Sequence, residues 1–347
     1  MKHVAGSIRS AARAAVVALS RPARGEIAVS YGHRRIPAPG EPVEGGMVKF
    51  QRLQEVFPNR TRDFNTLYLG SSSLPSDAET AIRLARRRGA PVVVNQDGVA
   101  YPAWAGGEAE LLNARHRHVL DSAAHVLYQS AFCKETADRF VGPPPGSWEV
   151  LSNAVDTHVF TPATRPPEGA PVLLLAGDQS QTYRLTVALE TLALLPEARL
   201  LVAGSLTGGE ELIDGLGLRD RVELVGRYAQ RDAPALYRRA HVLIHPKVND
   251  PCPNVVLEAL ACGVPVVHSA TGGTVELVGD AGIGVSSETT WERDVPPAPD
   301  ALADAVQAVL GKLDAFRAAA RERAVGRFDL APWVERHREL FAELMKT

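Results

Sequence analysis

From Glu26 onward, short runs rich in β-branched residues alternate with amphipathic stretches, the pattern that parallel strands joined by crossover helices produce. The first series of strand-like runs falls at 27–31, 66–69, 91–94, 125–128 and 149–151, with helical stretches such as 76–88 and 108–121 between them. A second series falls at 172–176, 199–202, 222–225, 241–244, 265–267 and 282–285. Runs this continuous in apolar residues suit strands covered on both faces. Between the two series, 161–170 is polar and rich in proline, which disfavours regular elements and reads as a linker. The expected fold is α/β: two Rossmann-like domains with parallel sheets, 26–160 and 171–330, facing across a cleft at the C-terminal ends of the strands, where such sheets bind ligands. The tail, 331–347, reads as a helix that returns to the first domain.

The length of 347 residues agrees with two domains of ordinary size. Lys plus Arg number 38 against 40 for Asp plus Glu, a net charge of −2, so no basic excess points to a nucleic-acid partner. Cys133, Cys252 and Cys262 form neither a disulfide framework nor a zinc-like spacing, which suits a reducing cytoplasm and no structural metal. No apolar run reaches the roughly 18 residues that a spanning helix needs. The stretch 1–25 carries Lys2, Arg9, Arg13, Arg21 and Arg24 with no acid, and Ser20-Arg21-Pro22 is not a signal-peptide cleavage site. A solvated helix or tail is the simpler reading. The alternative is a basic helix lying on anionic lipid at the inner face of a membrane.

The most informative stretch runs from His245 to Val267 as strand, loop, helix, glycine stop and strand. Seven residues separate Asp250 from Glu258 in it, and Pro253 with Asn254 marks the helix start. Asp250 then lies in the loop and Glu258 on the helix, so the two carboxylates reach different parts of one elongated ligand. The helix start near Asn254 and Val255 offers backbone N–H groups and positive dipole to a phosphate. One carboxylate for the hydroxyls of a ribose, beside amides aimed at a diphosphate, suits a nucleotide sugar. The structural alternative is a buried glutamate that only caps or pairs.

Asp250-x7-Glu258 followed by Ala259-Leu-Ala-Cys-Gly-Val-Pro-Val266 resembles the GT-B glycosyltransferases, specifically the retaining GT4 family, whose E-x7-E signature precedes the same kind of segment. Gly272-Gly273 with Glu276-Leu277 is similar to that family's Gly-Gly-x-x-Glu-Leu element, and Gly226-Arg-Tyr228 occupies the turn that usually meets the donor base. Asn153, Asp156, Phe160 and Pro162 match its linker signature, and Gly45-Gly46 with Lys49 resembles the glycine pair that lets backbone approach a phosphate or acceptor. The resemblance implies a retaining, metal-independent glycosyltransferase that moves a sugar from a UDP- or GDP-sugar to a carbohydrate, lipid-linked or small-molecule acceptor. It assigns Glu258 to the ribose and Asp250 to the donor sugar. Pro253, Asn254 and Val255 go to the diphosphate, and Gly226, Tyr228, Gly272 and Gly273 to the remaining donor contacts.

The pattern also departs from the family. The Arg and Lys that usually neutralise the leaving diphosphate fall on Asp178 and Tyr183, so Arg184, Lys247 and Lys49 are the candidate replacements. The family's histidine after the third strand is absent from Asn95-Gln96-Asp97-Gly98. Asp97 either substitutes for it or, more simply, makes an Asp-Gly turn. His116 and His118 read as a solvated helix face. These losses leave a second reading, a catalytically degenerate nucleotide-sugar-binding relative acting as a scaffold or regulatory subunit, against which the presence of Glu258 speaks. A nicotinamide oxidoreductase is excluded because no GxGxxG follows the first strand of either half; Gly204-Ser-Leu-Thr-Gly208-Gly209 has the wrong spacing.

Overall fold

The computed structural model describes residues 25–346 apart from 39, 42, 44, 166 and 207. The basic stretch 1–24 lies outside the described residues. The chain divides into two units, one of residues up to Ser152 together with those from Pro332, the other of Asn153–Ala331.

The first unit is built on a parallel sheet in the order β1 (Val29–Ser30), β2 (Thr66–Gly70), β3 (Val92–Gln96), β4 (His125–Tyr128) and β5 (Ser147–Val150). Its strands through β4 are buried along their length, as continuous apolar runs require, whereas β5 at the edge exposes Trp148 and Val150. On one face Leu67, Leu69, Val92 and Val94 pack with α2 (Ala78–Arg87), through Ala81, Ile82 and Ala85. The other face holds an aromatic cluster of Tyr31, Phe50, Tyr68 and Phe341. Phe50 comes from α1 (Gly45–Gln54), and Phe341 from the C-terminal helix, Leu330–Leu344. Tyr68 Oη lies 3.2 Å from His337 Nε2 in this cluster.

The second unit has a six-stranded parallel sheet that contains β6 (Val172–Ala176), β7 (Arg199–Ala203), β8 (Val222–Gly226), β9 (Val242–His245), β10 (Val266–Ser269) and β11 (Gly282–Val285). The spatial order is β11-β10-β9-β6-β7-β8. The chain thus winds outward one way from β6 and the other way from β9, and the reversal leaves a crevice at the C-terminal ends of these two neighbouring strands. Separate apolar clusters cover the two faces, one centred on Val256, Leu257 and Leu260, the other on Leu185, Leu189 and Val306. The proline-rich residues 161–170 belong to this unit, and so does the stretch before them. Val155 N donates to Phe328 O at 2.8 Å, and Arg321 donates to the carbonyls of Phe160 and Thr157 at 2.9 Å each. Arg321 also reaches Ala261 O at 2.7 Å, placing a cation on the last carbonyls of the helix that begins at Asn254.

Candidate active site

The crevice between β6 and β9 collects most of the residues singled out in the sequence. From β9 the chain passes through His245 to Lys247, Asn249 and Asp250, then enters α9 (Asn254–Ala261), with Pro253 in the capping position. Asn249 adopts a φ of +54°, a conformation that costs a non-glycine residue energy but that asparagine tolerates best. Its backbone N–H is held by Thr271 Oγ1 at 3.0 Å. Gly272 closes the same loop from the other side. It sits at φ +74°, and a Cβ there would lie 2.6 Å from Asp250 O. Gly273 N donates to that carbonyl at 2.9 Å. Gly272 and Gly273 therefore shape the Asp250 backbone directly.

Asp250 is buried, with Lys247 Nζ at 3.0 Å and His245 Nε2 at 3.3 Å from its Oδ2. Burial alone would raise this carboxyl, yet the Lys247 ammonium and the His245 ring hold it well below the usual carboxylate range. Burial pushes His245 the other way, toward the neutral imidazole, against the pull of Asp250. From the β6 side, Arg184 is buried with its guanidinium on the carbonyls of Asp178 and Ala176. Burial lowers the Arg184 pKa, and Asp250 is the first of the charges that oppose it. The positions of the expected Arg and Lys are used differently: Asp178 accepts from the Ser180 and Ser205 hydroxyls, and Tyr183 Oη accepts from Val248 N at 3.3 Å. Tyr183 thus ties the β6 loop to the acidic loop.

Glu258 faces a different set of groups. It is buried on α9, where Gln230 Nε2 donates to Oε1 at 2.6 Å and Tyr237 Oη to Oε2 at 2.8 Å. Tyr237 belongs to the short helix Ala233–Tyr237. Burial and then the Glu258 charge push the Tyr228 phenol up, which places Tyr228 beside the same carboxylate. Two residues earlier, Gly226 lines a cavity of about 750 Å³ at the ends of β7 and β8, with Gly204, Ser205, Glu210 and Arg227. Asn254 and Val255 open α9, whose first turn presents N–H groups and positive dipole. Cys252, in the same loop, is tied to Asn153, whose Nδ2 donates to Cys252 O at 3.2 Å.

Residues 156–324 match the model of the family described as glycosyl transferases group 1. The second unit carries a group 1 glycosyltransferase domain. Over 259 residues the chain is 27% identical to the D-inositol 3-phosphate glycosyltransferase of Mycolicibacterium smegmatis, covering 69% of this chain and 57% of that one. A protein of the same name from Mycobacteroides abscessus is 27% identical over 239 residues, 63% of this chain and 52% of that one. The chain spans little more than half the length of these curated relatives. Among solved structures, sucrose-phosphate synthase from Thermosynechococcus elongatus superimposes with a TM-score of 0.70 at 19% identity, covering 82% of this chain and 74% of the other. Anabaena HepE in complex with UDP gives 0.68 at 19% identity, over 81% and 79%. The fold is that of the GT-B glycosyltransferases.

The group 1 domain holds Asp250, Lys247, Arg184 and Glu258; Gly45, Gly46, Lys49 and Asp97 lie in the first unit, where the structure brings them together. Gly45 and Gly46 form the first turn of α1, and a Cβ on Gly46 would come within 2.3 Å of Ser72 Oγ. Lys49 is buried, paired with Asp97 and donating to Asn95 Oδ1 at 2.8 Å. Asp97 also accepts from Ser71 Oγ at 2.5 Å and from Ser72 N and Oγ at 2.7 Å. Its carboxylate is therefore an internal anchor rather than a turn-former, and Lys49 is committed to it. His116, expected on a solvated face, is half-buried, and burial lowers its pKa; His118 is exposed. Sequence reasoning missed His245, Gln230 and Tyr237 as site residues. His245 carried a signal, its place at the end of the strand before the acid. The other two carried none, because only the fold brings them to Glu258. Among the described residues, no helix is long and apolar enough to cross a membrane, and no group of three or more His, Cys, Asp or Glu is arranged to hold a metal.

Proposed function

We propose that the chain transfers a sugar, with retention of configuration, from a UDP- or GDP-sugar to a carbohydrate, lipid-linked or small-molecule acceptor. The observation that carries this reading is the convergence, at the switch point between β6 and β9, of one buried acid, two cations and a helix N-terminus. The donor base takes the cavity at the ends of β7 and β8. Glu258, oriented by Gln230 and Tyr237, accepts the ribose hydroxyls. The diphosphate sits on the amides that open α9. Asp250 meets the donor sugar, while Lys247 and Arg184 offset the negative charge that grows on the leaving diphosphate. Retention follows when the acceptor attacks from the face that the diphosphate leaves, with a donor phosphate oxygen taking the acceptor proton.

Fixed cations and the helix dipole fill the place of a metal in this scheme, so transfer is expected to survive EDTA. The Anabaena structure with UDP makes a uridine donor the first to test. The relatives named for D-inositol 3-phosphate add a phosphorylated polyol to the acceptors worth trying. The test is a panel of nucleotide sugars scored for transfer and for donor hydrolysis with wild type and Glu258→Ala. Turnover by wild type that is lost in the variant supports an enzyme. Donor-dependent stabilisation without turnover for any donor would instead mark a nucleotide-sugar-binding relative.

A further inference from the structure

Asp250 is held asymmetrically. Lys247 and His245 both reach Oδ2, no described residue donates to Oδ1, and the side chain keeps 11% exposure. The two partners differ in kind. Lys247 is a flexible, 29% exposed cation that a bound diphosphate would attract. His245 ends β9, is 2% exposed, and sits in register with His268 of β10. His268 is itself fixed, its Nδ1 2.7 Å from Ser269 O, and burial lowers its pKa to about 4. Burial thus favours the neutral form of both rings. His245 Nε2 is buried and points at Asp250 without the alignment of a full hydrogen bond, a contact that bound ligand can tighten.

We propose that His245 is a positioning residue that acts through Asp250: it keeps Oδ2 engaged when Lys247 turns to the diphosphate, and so leaves Oδ1 as the oxygen that meets the donor sugar. The inference rests on the reading of Asp250 as the acid that binds this sugar. A neutral imidazole suits the task because it donates to the carboxylate without competing for the anion. The rigidity of the strand end supplies what the long lysine stem lacks.

The test compares His245→Gln, which keeps a donor near the Nε2 position, with His245→Asn, which moves it toward Nδ1. Neither opens a large cavity. The reading is the ratio of affinities for a nucleotide sugar and its bare nucleoside diphosphate, measured by calorimetry with UDP-glucose against UDP and GDP-mannose against GDP. His245→Asn is expected to lose about tenfold in this ratio, the scale of one hydrogen bond, with bare nucleotide binding unchanged within about twofold. His245→Gln should keep most of the ratio, and adding Asp250→Asn to His245→Asn should cost nothing more. Equal weakening of both ligands, an unchanged ratio, or additive losses would overturn the positioning role alone. A wild type that binds none of the four ligands would overturn the proposed function, and this inference with it.

Discussion

Tyr237 donates its hydroxyl to Glu258 Oε2 across 2.8 Å, with both side chains buried. Because the acceptor is a buried carboxylate, Tyr237→Phe removes a charge-assisted bond and keeps the ring. The expected cost is about 1.5 to 3 kcal/mol of stability, read from urea unfolding. Nucleoside diphosphate affinity should fall as well, since the carboxylate loses one of the donors that orient it. A variant as stable as wild type would mean that the bond contributes nothing.

Lys247 sets the acid response of Asp250. A carboxyl whose pKa is depressed on folding contributes stability above its unfolded value, about 3.9, and that stability is lost as pH falls through the folded value. In Lys247→Met, the burial that tends to raise the Asp250 pKa loses its strongest opponent and is resisted only by His245 and the Arg184 charge. The acid arm of unfolding, and the acid limb of any transfer activity, should both move to higher pH. Superimposable acid arms for wild type and variant would refute this coupling.

The Lys49–Asp97 pair behaves as a buried structural ion pair in the first unit. Lys49→Met leaves Asp97 charged, buried and without its cation, at a cost of about 3 to 5 kcal/mol. Thermal unfolding decides the point. A loss below about 1 kcal/mol, typical of exposed pairs, would mean that Lys49 is available for other work.

Gly272→Ala tests how tightly the acidic loop is shaped. The new Cβ meets the Asp250 backbone at a positive φ, so strain of about 1 to 3 kcal/mol is expected, together with displacement of the acid. Activity should fall by a larger factor than stability explains, and kcat/KM measured beside the melting temperature shows whether it does.

Much of the architecture was legible because strands buried on both faces leave uninterrupted apolar runs, so β4 and β6 begin and end where the sequence places them. The start of α9 was legible too, since Pro253 cannot continue a helix backward and Asn254 opens one. Pairings were not. Lys49 meets Asp97 across 48 positions, and Gln230 meets Glu258 across 28. No local spacing encodes such contacts; they exist only once the strand ends are brought side by side. Asp97 shows the consequence: beside Gly98 it reads as a turn residue, yet Ser71, Ser72 and Lys49 close around it from other elements.

The central claim is that Glu258 grips the nucleotide, and calorimetric titration of UDP and GDP into wild type and Glu258→Gln tests it most directly. Wild type should bind at least one of the two. The variant, with its unfolding free energy within about 1 kcal/mol of wild type, should bind that nucleotide at least about tenfold more weakly. Equal affinity in the two proteins would contradict the account.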